Sequence, residues 1–220
     1  MILHSDISRV NKTGFASLDP LFGSVELQGV AMPFGRNAEV YGEGEPADYV
    51  YKVLAGAIRS YKILSDGRRQ IVGFYLPGDV FGLSCEDEHS CSAEAVADSQ
   101  VQVVRRSTLL RVAERDADIA KALWSFTAAE LKRSQEHGLL LIKSAQERIA
   151  AFLLDMARRL LSKNEVDLPM SRQDIADHLG LTIETVSRTF TQLADSATIQ
   201  LLASRRIVLR NRALLSELNA

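Results

Sequence analysis

Residues 170–195, MSRQDIADHLGLTIETVSRTFTQLAD, decide how this chain reads. Ser171 has the chemistry of a helix N-cap, and Asp174 three residues later approximates a capping box. Ile175 and Leu179 follow at helical apolar spacing. Gly180 then closes the helix, because a left-handed residue costs glycine little. Thr182 can cap a second helix directly after the turn. Two short helices joined by a glycine turn predict a helix-turn-helix.

The second helix sorts its residues by face. At about 100° per residue, Val186, Phe190 and Leu193 form one apolar stripe that should pack inward. Glu184, Ser187, Arg188 and Thr191 occupy the opposite face, within the turns that enter a DNA groove. Arginine can hold guanine O6 and N7 with two parallel bonds, and glutamate can accept from cytosine N4, each worth about 1–3 kcal/mol of discrimination. Glu184 and Arg188 are also spaced i,i+4, so the carboxylate can aim the guanidinium. The same pair alone would equally make an ordinary helical surface ion pair of about 0.3–0.5 kcal/mol. The preceding helix, the glycine turn and the caps favour reading of base edges.

Composition sets the frame around this motif. The chain has 220 residues, 46% of them hydrophobic and 25% charged, within the ordinary range of globular protein. Its net charge is −2, so no global attraction to nucleic acid exists. Divided at Ser144, the first part carries net −3 and the second net +1. Arg205, Arg206, Arg210 and Arg212 occur with no acid between them, which suits phosphate contact or a solvated surface equally. No apolar run approaches the roughly 18–20 residues that span a bilayer. The N-terminus lacks a signal-peptide core, and two cysteines, Cys85 and Cys91, make no disulfide framework. A cytoplasmic location without membrane contact is expected.

Upstream, residues 1–20 read as a lead-in of little periodicity. From about Ala38 to Arg105 the segments YVYKVL, AIRSYKIL, QIVGFYL and VQVV are rich in β-branched and aromatic residues. Gly42, Gly44 and Pro46, then Ala55-Gly56, Asp66-Gly67 and Pro77-Gly78-Asp79 punctuate them, which predicts a jelly-roll or small barrel. From about Asp116 to Ile142 one long helix is predicted, about 40 Å at 1.5 Å per residue. Ile119, Leu123, Phe126 and Leu140 sample its 3.5-residue repeat. This apolar surface can pair with the same helix of a second subunit, or fold back on its own domain. Ser144 reads as a hinge and a new N-cap, followed by an amphipathic helix to about Leu161 and a loop from Asn164 to Pro169. Residues 198–210 read as two strands around Ser204, a wing. The expected class is α+β: a β-roll over 21–110, a dimerisation helix over 111–143 and a winged helix-turn-helix over 144–220.

This order of parts resembles the Crp/Fnr family of bacterial transcription regulators, from about Phe22 to Asn211. The most specific match is Glu184-Thr185-Val186-Ser187-Arg188 preceded by apolar Ile183, the Fnr-like pattern Glu-x-x-Ser-Arg rather than the Arg-Glu-x-x-x-Arg of cyclic-AMP sensors. The resemblance implies half-sites of the type TTGA…TCAA. It assigns Arg188 to the guanine, Glu184 to the paired cytosine and Ser187 to an outer A·T pair. It also implies that Arg172, Gln173, Gly180 and Thr182 meet backbone phosphates, which position without specifying. It further implies a homodimer that recruits RNA polymerase on double-stranded DNA and catalyses nothing.

The sensory half departs from the family's better-known sensors. Where a cyclic-nucleotide pocket carries Gly-Glu…Arg-Ser, this chain has Gly82-Leu83…Cys91-Ser92. Leucine offers the ribose no acceptor, and cysteine offers a buried phosphate no cation. Arg133 stands where a small polar group would face the adenine. The N-terminus has none of the cysteines that hold an iron–sulfur cluster, and His4, His89, His137 and His178 lack ligand spacing. No metal or other cofactor is expected. What remains resembles the FixK-type branch, Fnr-like in DNA reading but cluster-free, whose members activate microaerobic respiration and nitrogen-fixation genes and are governed largely by their abundance. Cys85 and Cys91 flank an acidic stretch that should raise thiol pKa, so inert thiols are expected rather than a redox pair. Two alternatives stay open. One is a β-roll that binds an effector other than a cyclic nucleotide; the other is a module that contacts proteins through its helix-turn-helix.

Overall fold

The computed structural model describes Phe22 and residues 27–219; the lead-in over 1–20 lies outside the described residues. Eight strands build the N-terminal half: β1 (Val30–Phe34), β2 (Glu39–Tyr41), β3 (Tyr49–Ala55), β4 (Ile58–Ile63), β5 (Arg69–Tyr75), β6 (Val80–Phe81), β7 (Ser92–Ala95) and β8 (Ser99–Arg105). They form two four-stranded sheets, ordered β1-β8-β3-β6 and β2-β7-β4-β5. Alternation along β3 shows why. Tyr51 and Val53 point between the sheets, where they meet Tyr41, Ile58, Phe81 and Val101. Val50, one residue out of phase, packs on the opposite face with Val80 and Val104. The Asp66-Gly67 turn closes the β4–β5 hairpin as predicted: Gly67 takes a φ of 84°, and its N–H donates to the Leu64 carbonyl at 2.9 Å.

Helix α1 (Arg106–Arg115) follows, so the expected division after residue 110 falls within a helix. Asp116 then breaks the chain and caps α2 (Ala117–Leu140), accepting from the N–H groups of Asp118 and Ile119. The predicted long helix is real but begins and ends slightly inside its expected bounds. Phe126 is buried against Leu109, Val112 and the outer face of the first sheet, with Ile119 and Leu123 packed beside it. Leu140 packs at the other end against a core that the two halves share. These four residues were expected at a subunit interface. They lie on the side of α2 that faces its own chain, because that side carries the i, i+4, i+7 apolar stripe the β-roll needs to cover its outer sheet.

The C-terminal half runs α3 (Ala145–Arg159), β9 (Glu165–Asp167), α4 (Arg172–Leu179), α5 (Ile183–Asp195), β10 (Ile199–Leu201), β11 (Arg206–Leu209) and α6 (Arg212–Asn219). Ser144 forms a full capping box with Glu147 at the head of α3. The expected loop over 164–169 contains β9. It pairs with β11 (Ile207 opposite Val166) and gives the wing a third strand in the order β10-β11-β9. Three residues are too short to show a period of two, but Val166 is fully buried and its charged neighbours are exposed.

The two halves do not merely abut. Ile71, Phe74 and Leu76 from the outer face of the second sheet share one buried cluster with Ile149, Phe152, Leu153, Ile175 and Leu179. Phe74 sits edge-on to the rings of Phe152 and His178, with centroids 6.2 and 5.1 Å apart. Truncating Phe74 to alanine should therefore cost about 3–5 kcal/mol of unfolding free energy in a urea titration. A loss under about 1 kcal/mol would show that this core is not continuous across the two halves.

Candidate nucleic-acid interface

The helix-turn-helix forms as its caps dictate. Ser171 and Asp174 make both bonds of a capping box, Gly180 closes α4 in the left-handed conformation (φ 62°, ψ 42°), and Thr182 caps α5 by accepting from the Thr185 N–H. Val186, Phe190 and Leu193 are buried, as is Thr189, which the apolar pattern could not reveal. Glu184, Ser187, Arg188 and Thr191 are all exposed along one side of α5. The structure thus brings the three expected base-reading residues onto one open face. Glu184 and Arg188 make no ion pair with each other among the described residues, so both are free to face outward. Thr191 instead returns its hydroxyl to the Ser187 carbonyl at 3.2 Å.

The expected phosphate contacts divide. Gln173 is exposed in the first turn of α4, and Gly180 and Thr182 are exposed in the turn that leads into α5. Arg172 is not available in the same way. Its guanidinium lies over the Phe190 ring, 3.3 Å from the centroid, and burial pulls its pKa down to about 10. It props the recognition helix from behind, where cation–π contact is worth more than in water. The arginines of the wing are also engaged within their own domain. Arg205 donates to the Pro169 carbonyl at 2.9 Å and Arg212 to the Lys163 carbonyl at 2.7 Å. Arg206 pairs with Glu165, and Arg210 with Gln200. Arg206, Arg210 and Arg212 are nonetheless exposed, so the choice between phosphate contact and a solvated surface stays open.

His178, in the last turn of α4, meets the β-roll. Its Nδ1–H donates to the Ile71 carbonyl at 3.0 Å, and its ring stacks on His137 of α2 with centroids 4.4 Å apart. Burial first, and His137 second, push its pKa down to about 4.

Within the β-roll, the Gly82 and Cys91 positions border aromatic packing. Tyr41 stacks on His89 at 3.6 Å between ring centroids, and Phe81 stacks on Tyr51 and Tyr75 at 5.1 and 4.9 Å. A Cβ at Gly82 would meet the Tyr51 ring at 2.6 Å, so glycine is required there by an aromatic neighbour. Burial raises the phenols of Tyr51 and Tyr75 to about 12, leaving them neutral. Burial also raises the Cys91 thiol, while Cys85 is exposed. Arg133 pairs with Glu130 one turn earlier at 3.1 Å. The rings that pack around Gly82 are uncharged, and the cation on the α2 side, Arg133, is paired with Glu130.

Comparison with known proteins agrees with this anatomy. Residues 32–116 match the cyclic nucleotide-binding domain, and residues 147–218 match the Crp-like helix-turn-helix domain. The nitrogen fixation regulation protein FixK of Azorhizobium caulinodans is 50% identical over 202 residues, covering 89% of this chain and 82% of that protein. FixK of Rhizobium meliloti is 42% identical over 183 residues, covering 82% of this chain and 83% of its own length. The chain belongs to the Crp/Fnr family, in its FixK-type branch. The structure of FixK2 from Bradyrhizobium japonicum superposes with a TM-score of 0.85 at 51% identity, covering 87% of this chain and 98% of that one. This FixK-type chain is accordingly a DNA-binding transcription regulator and not an enzyme. Among its described residues no helix is long and apolar enough to cross a membrane.

The buried histidine gives a pH test. Because the folded chain holds His178 neutral down to about pH 4 while the unfolded chain protonates near 6.5, the unfolded state binds more protons between those values. Stability is therefore full above pH 6.5 and declines as pH falls towards 4, by on the order of 3 kcal/mol. Urea titrations at pH 7.5 and 4.5 measure it; His178→Phe should flatten that slope, and an unchanged slope would assign it to other groups.

Proposed function

We propose that this FixK-type regulator acts as a homodimeric activator on TTGA…TCAA-type palindromes and recruits RNA polymerase there. The observation that carries this reading is the open face of α5, with Glu184, Ser187 and Arg188 side by side on a helix capped at both its own start and that of its support. Arg188 would hold the half-site guanine in a bidentate contact, Glu184 would accept from the paired cytosine, and Ser187 would meet an outer A·T pair. Gln173, Gly180 and Thr182 would lie against phosphates, joined by Arg172 only if it leaves Phe190. The names of the relatives, nitrogen fixation regulation proteins, support a role at nitrogen-fixation genes; control of microaerobic respiration genes and a cytoplasmic location belong to the same proposal.

We place the dimer interface on the face of α2 opposite Ile119, Leu123 and Phe126, which pack on their own chain. On the side of α2 turned away from its own core, Trp124, Ala128, Leu131 and Gly138 are exposed, with Ile142 just past the helix end. Their spacing of four, three, seven and four residues is that of a coiled-coil seam. Trp124 is 76% exposed and Ile142 83%, more apolar surface than an isolated helix of a monomer would leave in water. Pairing of two α2 helices along this seam would place one recognition helix on each side of a two-fold axis.

Two outcomes are expected. Leu131→Glu should shift the protein from dimer to monomer in sedimentation velocity, with its circular dichroism unchanged; a dimer that persists would remove α2 as the interface. Arg188→Ala should erase about 1–3 kcal/mol of preference for the half-site guanine in fluorescence anisotropy titrations. Weak, strongly salt-dependent binding would remain. If the variant still tells guanine from adenine at that position, another residue reads it.

A further inference from the structure

A buried ionic network joins the β-roll to the first helix of the helix-turn-helix. Arg59 of β4 donates through Nε to Glu94 Oε1 at 2.7 Å and through Nη1 to Asp174 Oδ1 at 2.6 Å. Arg69 of β5 donates to the same Asp174 oxygen at 2.8 Å, and through Nε to Asp177 Oδ2 at 2.8 Å. Arg59 is 8% exposed and Asp174 3%. The other oxygen of Asp174, Oδ2, accepts from the Ser171 N–H and hydroxyl at 2.9 and 2.7 Å, completing the capping box. One carboxylate therefore both starts helix α4 and receives two arginines from another domain.

We propose that Arg59 and Arg69 are positioning residues for DNA reading, which fix the recognition helix relative to the dimer axis and so set the half-site spacing the protein accepts. The inference rests on the homodimeric reading above. Helix α2 is seated on the β-roll through Phe126, so the β-roll and the seam form one frame. The DNA-reading unit is joined to that frame covalently only through the short connection between Leu140 and Ala145. Apolar contact in the shared core holds the unit close but is non-directional. Charge-assisted bonds from two rigid guanidinium forks are directional and fix an angle. Buried ion pairs add little net stability compared with apolar packing, and specification of geometry is their better-attested use. The network grips α4 through Asp174 and Asp177, while the exposed face of α5 stays clear of it. The grip thus aims the reading surface without covering it.

The test is a pair of TTGA…TCAA duplexes, one with half-sites a single helical turn apart and one with two base pairs inserted at the centre. That insertion rotates one half-site by about 70°. Anisotropy titrations give the ratio of the two affinities for the full-length protein and for Arg69→Gln. The ratio should fall about tenfold in the variant, within the range usual for coupling between sites. Its preference for TTGA over a scrambled half-site should stay unchanged, a separation that general loss of structure would not produce. Asp177→Asn, which removes only the outer carboxylate, gives the same reading should Arg69→Gln fail to fold. The double variant should match either single one. An unaltered spacing ratio in a folded variant overturns the inference. A full-length protein that sediments as a monomer, or binds neither duplex, overturns the homodimeric reading instead and the inference with it.

Discussion

The carboxylate of Asp174 is the point on which the two halves of this protein agree. As a capping residue it satisfies backbone and hydroxyl donors at the start of α4. As an acceptor it is shared by Arg59 and Arg69 from the β-roll. A carboxylate that is 3% exposed would be costly to bury with its charge unpaired. The fold that supplies its partners is therefore the fold that brings β4 and β5 against the helix-turn-helix. Around it the apolar cluster containing Ile71, Phe74, Phe152 and Leu179 excludes water and lowers the local dielectric. That strengthens the same bonds.

The sensory half shows the complementary pattern. Its jelly-roll frame matches a domain described as nucleotide-binding, yet Tyr41, Tyr51, Phe81, Tyr75 and His89 stack beside the glycine of the expected ligand loop. Gly82 has its positive φ of 79° and a tyrosine ring where a Cβ would be. The backbone turn of a ligand loop is retained while the side chains around it stabilise the domain by ring contact. Fold and sensing chemistry are separable, and here the fold serves as a rigid support for α2 and α4.

What the sequence made legible follows from how local each signal is. Ser144, Ser171, Gly180 and Thr182 act within four residues of themselves, and all four cap the helices they were expected to cap. The Asp66-Gly67 hairpin is local in the same sense. The errors lie where a partner distant in sequence decides. The face of α2 carrying Ile119, Leu123 and Phe126 is apolar whichever body covers it, and only the fold shows that the β-roll does. Arg172 was expected to meet phosphate, and its guanidinium is drawn over Phe190, eighteen residues on. Strand β9 owes its existence to β11, whose Ile207 pairs with Val166 from 41 residues on. The Arg59–Asp174 bond spans 115 residues and left no periodic trace; an arginine between Ile58 and Ser60 in a strand was its one available signal.

With these tethers in place, the seam of Trp124, Leu131 and Ile142 and the reading face of α5 both stay exposed in a single chain. In the proposed dimer these are linked by mass action rather than by an effector. Burial of the seam requires a second copy, and tight palindrome binding requires both reading faces on one rigid frame. Where monomer predominates, occupancy of the site rises with roughly the square of protein concentration, because two chains must be supplied for each site. A chain whose DNA-reading unit is already fixed to its support would then be switched by how much of it is made. In that dimer the apolar seam would make assembly depend on abundance, and the buried arginines would keep each assembled dimer ready to read.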